Sequence, residues 1–173
     1  MKEFAEWLSA TGPSVFIKTH QAWLIPSIQT LHIVGIGVIL GSVFMLNLRI
    51  LGWAGQDLSL RQAHDRFGPW IVGALWLLAL TGLLLIVGEP VRELVTFSFW
   101  AKMALVAVGA VAVIGFGRML RRHEPQWGDA LARRPGVRAA ALATFAVWLA
   151  VIVLGRLIAY DHVWGPLSPA ARY

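Results

Sequence analysis

Residues 68–88 read GPWIVGALWLLALTGLLLIVG, and this stretch decides the fold class because it contains no charged side chain. About 20 consecutive apolar residues are what an α-helix needs to cross the hydrocarbon core of a bilayer. The apolar side chains run all round the helix rather than alternating, which excludes a strand of a membrane barrel. The stretch therefore predicts a membrane-spanning helix.

Three further stretches have the same character, at about 22–46, 96–117 and 139–160. The whole chain is 58% hydrophobic and 14% charged, whereas soluble domains are about 45–50% apolar and about 25% charged. We therefore expect one all-α domain over residues 1–173, an integral membrane four-helix bundle. Residues 1–13 predict a short amphipathic helix on the membrane surface, ended by Gly12-Pro13.

The composition also excludes several kinds of site. The chain has no cysteine, so it has neither disulfides nor thiolate metal sites, and c-type haem attachment is impossible. The sequence contains no GxSxG or HExxH motif and no paired carboxylates within the apolar stretches. A hydrolase is therefore not expected.

Basic residues predict how the bundle is oriented. Segments 47–67 and 118–138 hold nine Lys and Arg residues, whereas the two tails and segment 89–95 together hold four. Positive charge concentrates in cytoplasmic loops, so we expect a multi-pass protein of the bacterial inner membrane with both termini in the periplasm. The net charge of +6 is then a signal of topology and of contact with membrane lipid, not of nucleic-acid binding.

One polar cluster is predicted inside the bundle. Residues 29–41 read QTLHIVGIGVILG and place His32 about ten residues into the first span. Thr81 lies late in the second span, Lys102 early in the third and Arg156 late in the fourth. Because successive helices of the bundle run in opposite directions, these four positions all lie in its outer half. All nine acidic residues fall in loops or tails, so no carboxylate is expected beside the two cations.

A charge at this depth costs about 2.5–3.5 kcal/mol, and two interpretations of Lys102 and Arg156 stay open. Both side chains can snorkel to the headgroups, or both can grip a shared anionic ligand. His32 is too short to snorkel, and it is either a structural hydrogen-bonding residue or a ligand. Gln29, one turn earlier, is placed to hold one ring nitrogen. Gly35, one turn later, leaves room for something flat.

A flat apolar molecule with two carboxylates, bound by a neutral imidazole, describes haem b. Its iron accepts histidine, and its propionates would pair with Lys102 and Arg156. His32 has no histidine partner at its own depth, so such a haem is five-coordinate unless a bend at Pro26 brings an outer histidine closer. His20 and His162 at the outer rim form a second haem site, a copper site, or merely two surface histidines.

Longer patterns resemble known families. The segments LHIVGIGVILGSVFMLNLRILG, GPWIVGALWLLALTGLLL, FSFWAKMALV and GRLIAY resemble an uncharacterised family of small bacterial four-helix membrane proteins, which implies no activity. A first-helix histidine and a later Trp-x-Lys are more distantly similar to the copper-resistance D membrane proteins and to haem-binding bacterial protoporphyrinogen oxidases. In the latter group the resemblance implies that His32 and Lys102 are the functional pair, and Arg49 is similar to its arginine. This chain lacks the further histidine that follows that arginine.

Three functions are compatible with these features, and whether the protein is an enzyme stays open. The first is electron transfer by haem b between the quinone pool and a periplasmic redox protein. The second is copper transport or handling, for which four methionines and no cysteine offer few soft ligands. The third is a non-catalytic membrane anchor within a larger complex.

Overall fold

The computed structural model describes residues 1–123, 130 and 133–158, and its secondary structure there is entirely helical. The helices are α1 Lys2–Ser9, α2 Gly12–Thr19, α3 Gln21–Leu51, α4 Leu60–Gly88, α5 Pro90–Leu94, α6 Phe97–His123 and α7 Pro135–Ile158. The predicted all-α class is confirmed.

Four of the helices are long and apolar enough to cross a membrane: α3, α4, α6 as far as Leu120, and α7. Most side chains in their apolar stretches face outward rather than into the protein. Trp76 on α4 is an example, because 74% of it is exposed. An apolar surface of this extent is what lipid contact requires, so the predicted membrane bundle is confirmed.

The helices extend beyond the predicted apolar stretches. α4 begins at Leu60, eight residues before the run that starts at position 68. The Ser59 side chain accepts a hydrogen bond from the Gln62 backbone N–H at 3.2 Å, and the Gln62 side chain accepts one from the Ser59 N–H at 2.8 Å. This capping box satisfies two N–H groups of the first turn, and it starts the helix in a polar segment that hydropathy alone leaves out.

The N-terminal prediction was incomplete, because Gly12-Pro13 does not simply end a surface helix. α1 ends at Ser9, and a second helix, α2, begins at Gly12 with Pro13 in its first turn. Proline suits that position because its missing N–H would have no helical partner there. The segment before the first span is therefore two short helices rather than one.

The bundle has two ends, which differ in what covers them. At the α1 end, where α3 and α6 begin and α4 and α7 finish, the helices α1, α2 and α5 lie against the spans. Ala5 of α1 is fully buried there, in a cluster with Leu94, Phe99 and Ile158. At the loop end, α3 is joined to α4 through residues 52–59.

Two antiparallel pairs make up the bundle. α3 packs along α4 and α6 along α7, while α3 also contacts α7 and α4 contacts α6. The central core is a cluster of seven buried side chains: Ile39, Val43, Leu46, Ala63, Ile71, Ala74 and Trp148. This apolar cluster occupies the middle of the bundle, between its two ends.

Candidate functional site

The candidate site lies toward the α1 end, where α3 and α4 approach closely. His32 Nδ1 is 2.7 Å from Thr81 Oγ1. Glycines make this approach possible. A Cβ on Gly35 would lie 2.9 Å from Leu78 Cδ2, and one on Gly82 would lie 3.6 Å from His32 Cε1. The imidazole therefore lies over Gly82, with Thr81 bonded to its Nδ1.

The hydrogen bonds of Thr81 determine which ring nitrogen of His32 carries the proton. Thr81 Oγ1 is also 2.7 Å from the backbone carbonyl oxygen of Leu77, and a carbonyl only accepts. Because a hydroxyl has one proton to donate, it goes to Leu77, and Oγ1 accepts from Nδ1–H. Nε2 then carries a lone pair, and no residue in the described ranges bonds to it. A metal-bound histidine is held in the same tautomer by its second nitrogen.

Two of the expectations for neighbouring residues were wrong. Gln29 does not hold the His32 ring, because Thr81 faces the ring across the α3–α4 contact and takes that role. Gly35 does not leave room for a flat molecule, because the side chain of Leu78 fills the space beside it. Gly35 instead brings the backbone of α3 close to α4, which places Thr81 within reach of His32.

Lys102 of α6 lies in the same half of the bundle. Its Nζ is 5.5 Å from the centre of the Phe99 ring, within the range of a cation–π contact. Its Cδ lies 3.6 Å from where a Cβ on Gly155 of α7 would be. Lys102 is also near enough to His32 for its charge to act on the imidazole. Three spans therefore contribute to one polar region, through His32, Thr81 and Lys102.

The prediction that no carboxylate accompanies Lys102 was wrong. Glu93 of α5 is buried, with 8% of it exposed, and it interacts electrostatically with Lys102. Burial raises the pKa of the Glu93 carboxyl, and the nearby Lys102 and Arg92 partly oppose that rise. The sequence contained a usable signal, because a connection as short as 89–95 has to stay close to the start of the next span.

The placement of Arg156 in this region stays a prediction. Its side chain is exposed on α7 and has an interaction of its own. Neighbouring residues on a helix point about 100° apart, and Gly155 is the one that faces Lys102. Exposure at the end of a span agrees with the snorkelling interpretation.

The other predicted histidine ligands do not join His32. His20 is half-buried between α2 and α3, where its Nδ1 lies 3.0 Å from the carbonyl oxygen of Phe16 and its ring packs on the Phe16 ring. His162 lies outside the described residues. His64 is buried on α4, 17 residues from Thr81, which is about 26 Å along the helix. Within the described ranges no group of three or more His, Cys, Asp or Glu is placed to hold a metal.

Comparison with known proteins adds a family assignment. The model of a family of unknown function (DUF6644) matches residues 4–161 of this chain. Neither the curated proteins nor the solved structures yield a match. The distant similarity to copper-resistance D proteins and protoporphyrinogen oxidases is therefore not shown, and it carries no residue assignment from here on.

Proposed function

The chain belongs to the DUF6644 family of unknown function, and we propose that it holds haem b through His32 and transfers electrons within the membrane. The proposed donor is the quinone pool and the proposed acceptor is a periplasmic redox protein. When bound, the haem iron would supply one-electron chemistry. The residues of the chain bind and orient the group, and set the charge around it.

The observation that carries this proposal is the hydrogen-bonded series from His32 through Thr81 to Leu77. Both of its contacts are 2.7 Å long, and together they leave Nε2 as a lone-pair donor. A neutral imidazole with its other nitrogen tied to the protein is the form that binds iron. His32 is half-buried, and its Nε2 is not among the buried polar atoms without a partner in the described residues, so a ligand can reach this nitrogen from the side of the bundle.

Lys102 has a narrower role in this proposal than the sequence suggested. Because Glu93 is near enough for its carboxylate charge to act on Lys102, the charge of Lys102 is not itself a reason to require an anionic guest. Lys102 can pair with one propionate of a haem, in competition with Glu93. Arg156 is exposed on α7, so it is a weaker candidate for the second propionate than the sequence suggested. The imidazole, not the two cations, is therefore the basis of the proposal.

The position of His32 supports electron exchange at the α1 end. The residue is 11 positions from the start of α3 at Gln21, which is about 17 Å of helix rise. The loop end is farther from it, beyond the central apolar core. If the α1 end faces the periplasm, a soluble acceptor docking there would approach the site from its nearer side.

The optical spectrum of the purified protein tests the proposal. We expect a Soret band in the wild-type protein and its loss in His32→Ala, with membrane insertion unchanged. His20→Ala is the matched control, because that histidine lies at the same end with its ring against Phe16, and its loss should leave the spectrum intact. A colourless wild-type protein purified from haem-replete cells contradicts the proposal. Copper in that protein, or one co-purifying soluble partner, would then favour copper handling or a membrane anchor, respectively.

A further inference from the structure

A cavity at the loop end lies far from His32 and has no part in the proposed electron transfer. It has a volume of about 400 Å³, is open on one side, and is bounded by the last turns of α3, the 52–59 connection and the first turns of α4. Protein sites for small ligands have volumes of about 300–1,000 Å³. The cavity is therefore large enough for a ligand headgroup.

The lining of the cavity combines positive charge with apolar surface. Arg49 and Arg66 supply two guanidinium groups and Asp57 supplies one carboxylate, which leaves one net positive charge. Arg49 is only 8% exposed, and its Nε donates a hydrogen bond to the carbonyl oxygen of Leu58. Arginine is rarely buried to this degree unless it has partners. Met45 and Phe67 line the rest of the cavity on the side of the spans.

The depth of the cavity indicates what kind of molecule reaches it. Trp53 and Trp70 at this end are 69% and 65% exposed. Exposed tryptophans concentrate where the hydrocarbon meets the headgroups. Met45, one helical turn from Arg49 toward the centre of the span, is 41% exposed and so faces lipid. The guanidinium groups are thus level with lipid phosphates, and the apolar wall is level with the first acyl carbons.

We propose that this cavity binds one phospholipid, with its phosphate against Arg49 and Arg66 and its acyl chains along Met45 and Phe67. Guanidinium groups match the geometry of phosphate oxygens through paired N–H donors. Basic recesses between membrane helices bind lipid headgroups in this way. The bound lipid joins α3 to α4 at the end opposite the His32 site.

Thermal unfolding in detergent, after delipidation, tests this proposal with three probes. Short-chain phosphatidylglycerol carries both phosphate and acyl chains, the matching diacylglycerol lacks the phosphate, and inorganic phosphate lacks the chains. We expect only phosphatidylglycerol to raise the Tm of the wild-type protein at low concentration. Arg66→Gln should require about tenfold more of it, because one charge-assisted hydrogen bond is lost. Arg66 is exposed, so this variant should fold.

Two further variants make the result decisive. Arg49→Lys keeps the charge but loses the paired donors, and it should weaken phosphatidylglycerol binding as Arg66→Gln does. Arg61→Gln is the matched control, because Arg61 is exposed on the same helix and pairs with Asp65 at 3.5 Å outside the cavity. Equal responses of Arg66→Gln and Arg61→Gln would overturn the proposal. It would also fail if inorganic phosphate stabilised the protein as well as the lipid, or if diacylglycerol matched phosphatidylglycerol.

Discussion

At the scale of single residues, Thr81 determines the chemistry available to His32. Thr81→Val keeps the shape of the side chain but removes the hydroxyl that accepts from Nδ1–H. We expect the purified variant to retain several-fold less haem than the wild type, because the ring loses its fixed tautomer and orientation and second-shell partners typically change affinity 10–100-fold. The ratio of Soret absorbance to protein measures this.

Thr81→Ser is the control for that experiment. It retains a hydroxyl able to bond Leu77 and His32 in the same order, so its haem content should stay near that of the wild type. If valine and serine at this position gave equal pigment, Thr81 would be only a packing residue, and the proton assignment on His32 would be wrong.

The buried carboxyl of Glu93 should make the thermal stability of the protein depend on pH. Burial raises the pKa of its carboxyl in the folded protein, so the folded state holds the proton to a higher pH than the unfolded state does. The stabilising effect of this bound proton is fully present below the pKa of the carboxyl in the unfolded chain, about 4.3. It is lost as the pH rises through the pKa in the folded protein. We expect the Tm in detergent to fall across that interval, and thermal unfolding at a series of pH values measures it.

Glu93→Gln should reduce that pH dependence, because the amide does not titrate. Glu6→Gln is the matched control, since Glu6 lies on α1 at the same end of the bundle and is exposed. A slope of Tm against pH that stays the same in Glu93→Gln would show that other groups produce it.

The sequence predicted part of this site, for a simple geometric reason. Counting residues along spanning helices gives depth, so the shared level of His32, Thr81 and Lys102 was predictable. Counting does not give the rotation of each helix about its axis. Rotation determines that Thr81 rather than Gln29 meets the imidazole, and that Gly155 rather than Arg156 faces Lys102. Those contacts needed the structure.

At the scale of helices, two pairs of glycines show again that the sequence does not give the rotation of a helix about its axis. The motifs GIG at 35–37 and GFG at 115–117 each indicate close packing of helices, but only one glycine of each pair provides it. A Cβ on Gly35 or Gly117 would meet a neighbouring side chain, whereas nothing lies within 4 Å of the corresponding position on Gly37 or Gly115. The motif predicts a contact between helices without saying which of its glycines makes it.

Gly117→Ala tests the contact between α6 and α4. The added Cβ would clash with Nε2 of His64, and His64 is itself buried. We expect a loss of about 1–3 kcal/mol in the free energy of unfolding, the usual cost of overpacking, measured by denaturation in mild detergent. Gly115→Ala, two residues away on the same helix, should be neutral or slightly stabilising, since alanine favours helix. Equal stability of the two variants would contradict the packing described here.

At the scale of the whole molecule, four spans were predictable because each apolar run is as long as a bilayer is thick. How the spans pair was not, because nearly uniform apolar composition gives each helix little periodic preference for one face. Small residues and side-chain hydrogen bonds decide the pairing instead. Short peripheral helices such as α2 and α5 fell below what hydropathy resolves, and with α5 the carboxyl group near Lys102 was missed.

The orientation of the bundle in the membrane connects both proposals, and the absence of cysteine makes it simple to test. Single substitutions Glu6→Cys on α1 and Gln56→Cys in the 52–59 connection place one exposed thiol at each end. With an impermeant maleimide on spheroplasts, we expect Glu6→Cys to be labelled at once and Gln56→Cys only after lysis, because positive loops stay cytoplasmic. The opposite pattern would turn the His32 region toward the cytoplasm, so a periplasmic acceptor would be on the wrong side. The lipid cavity would then lie in the outer leaflet, although its chemistry would be unchanged.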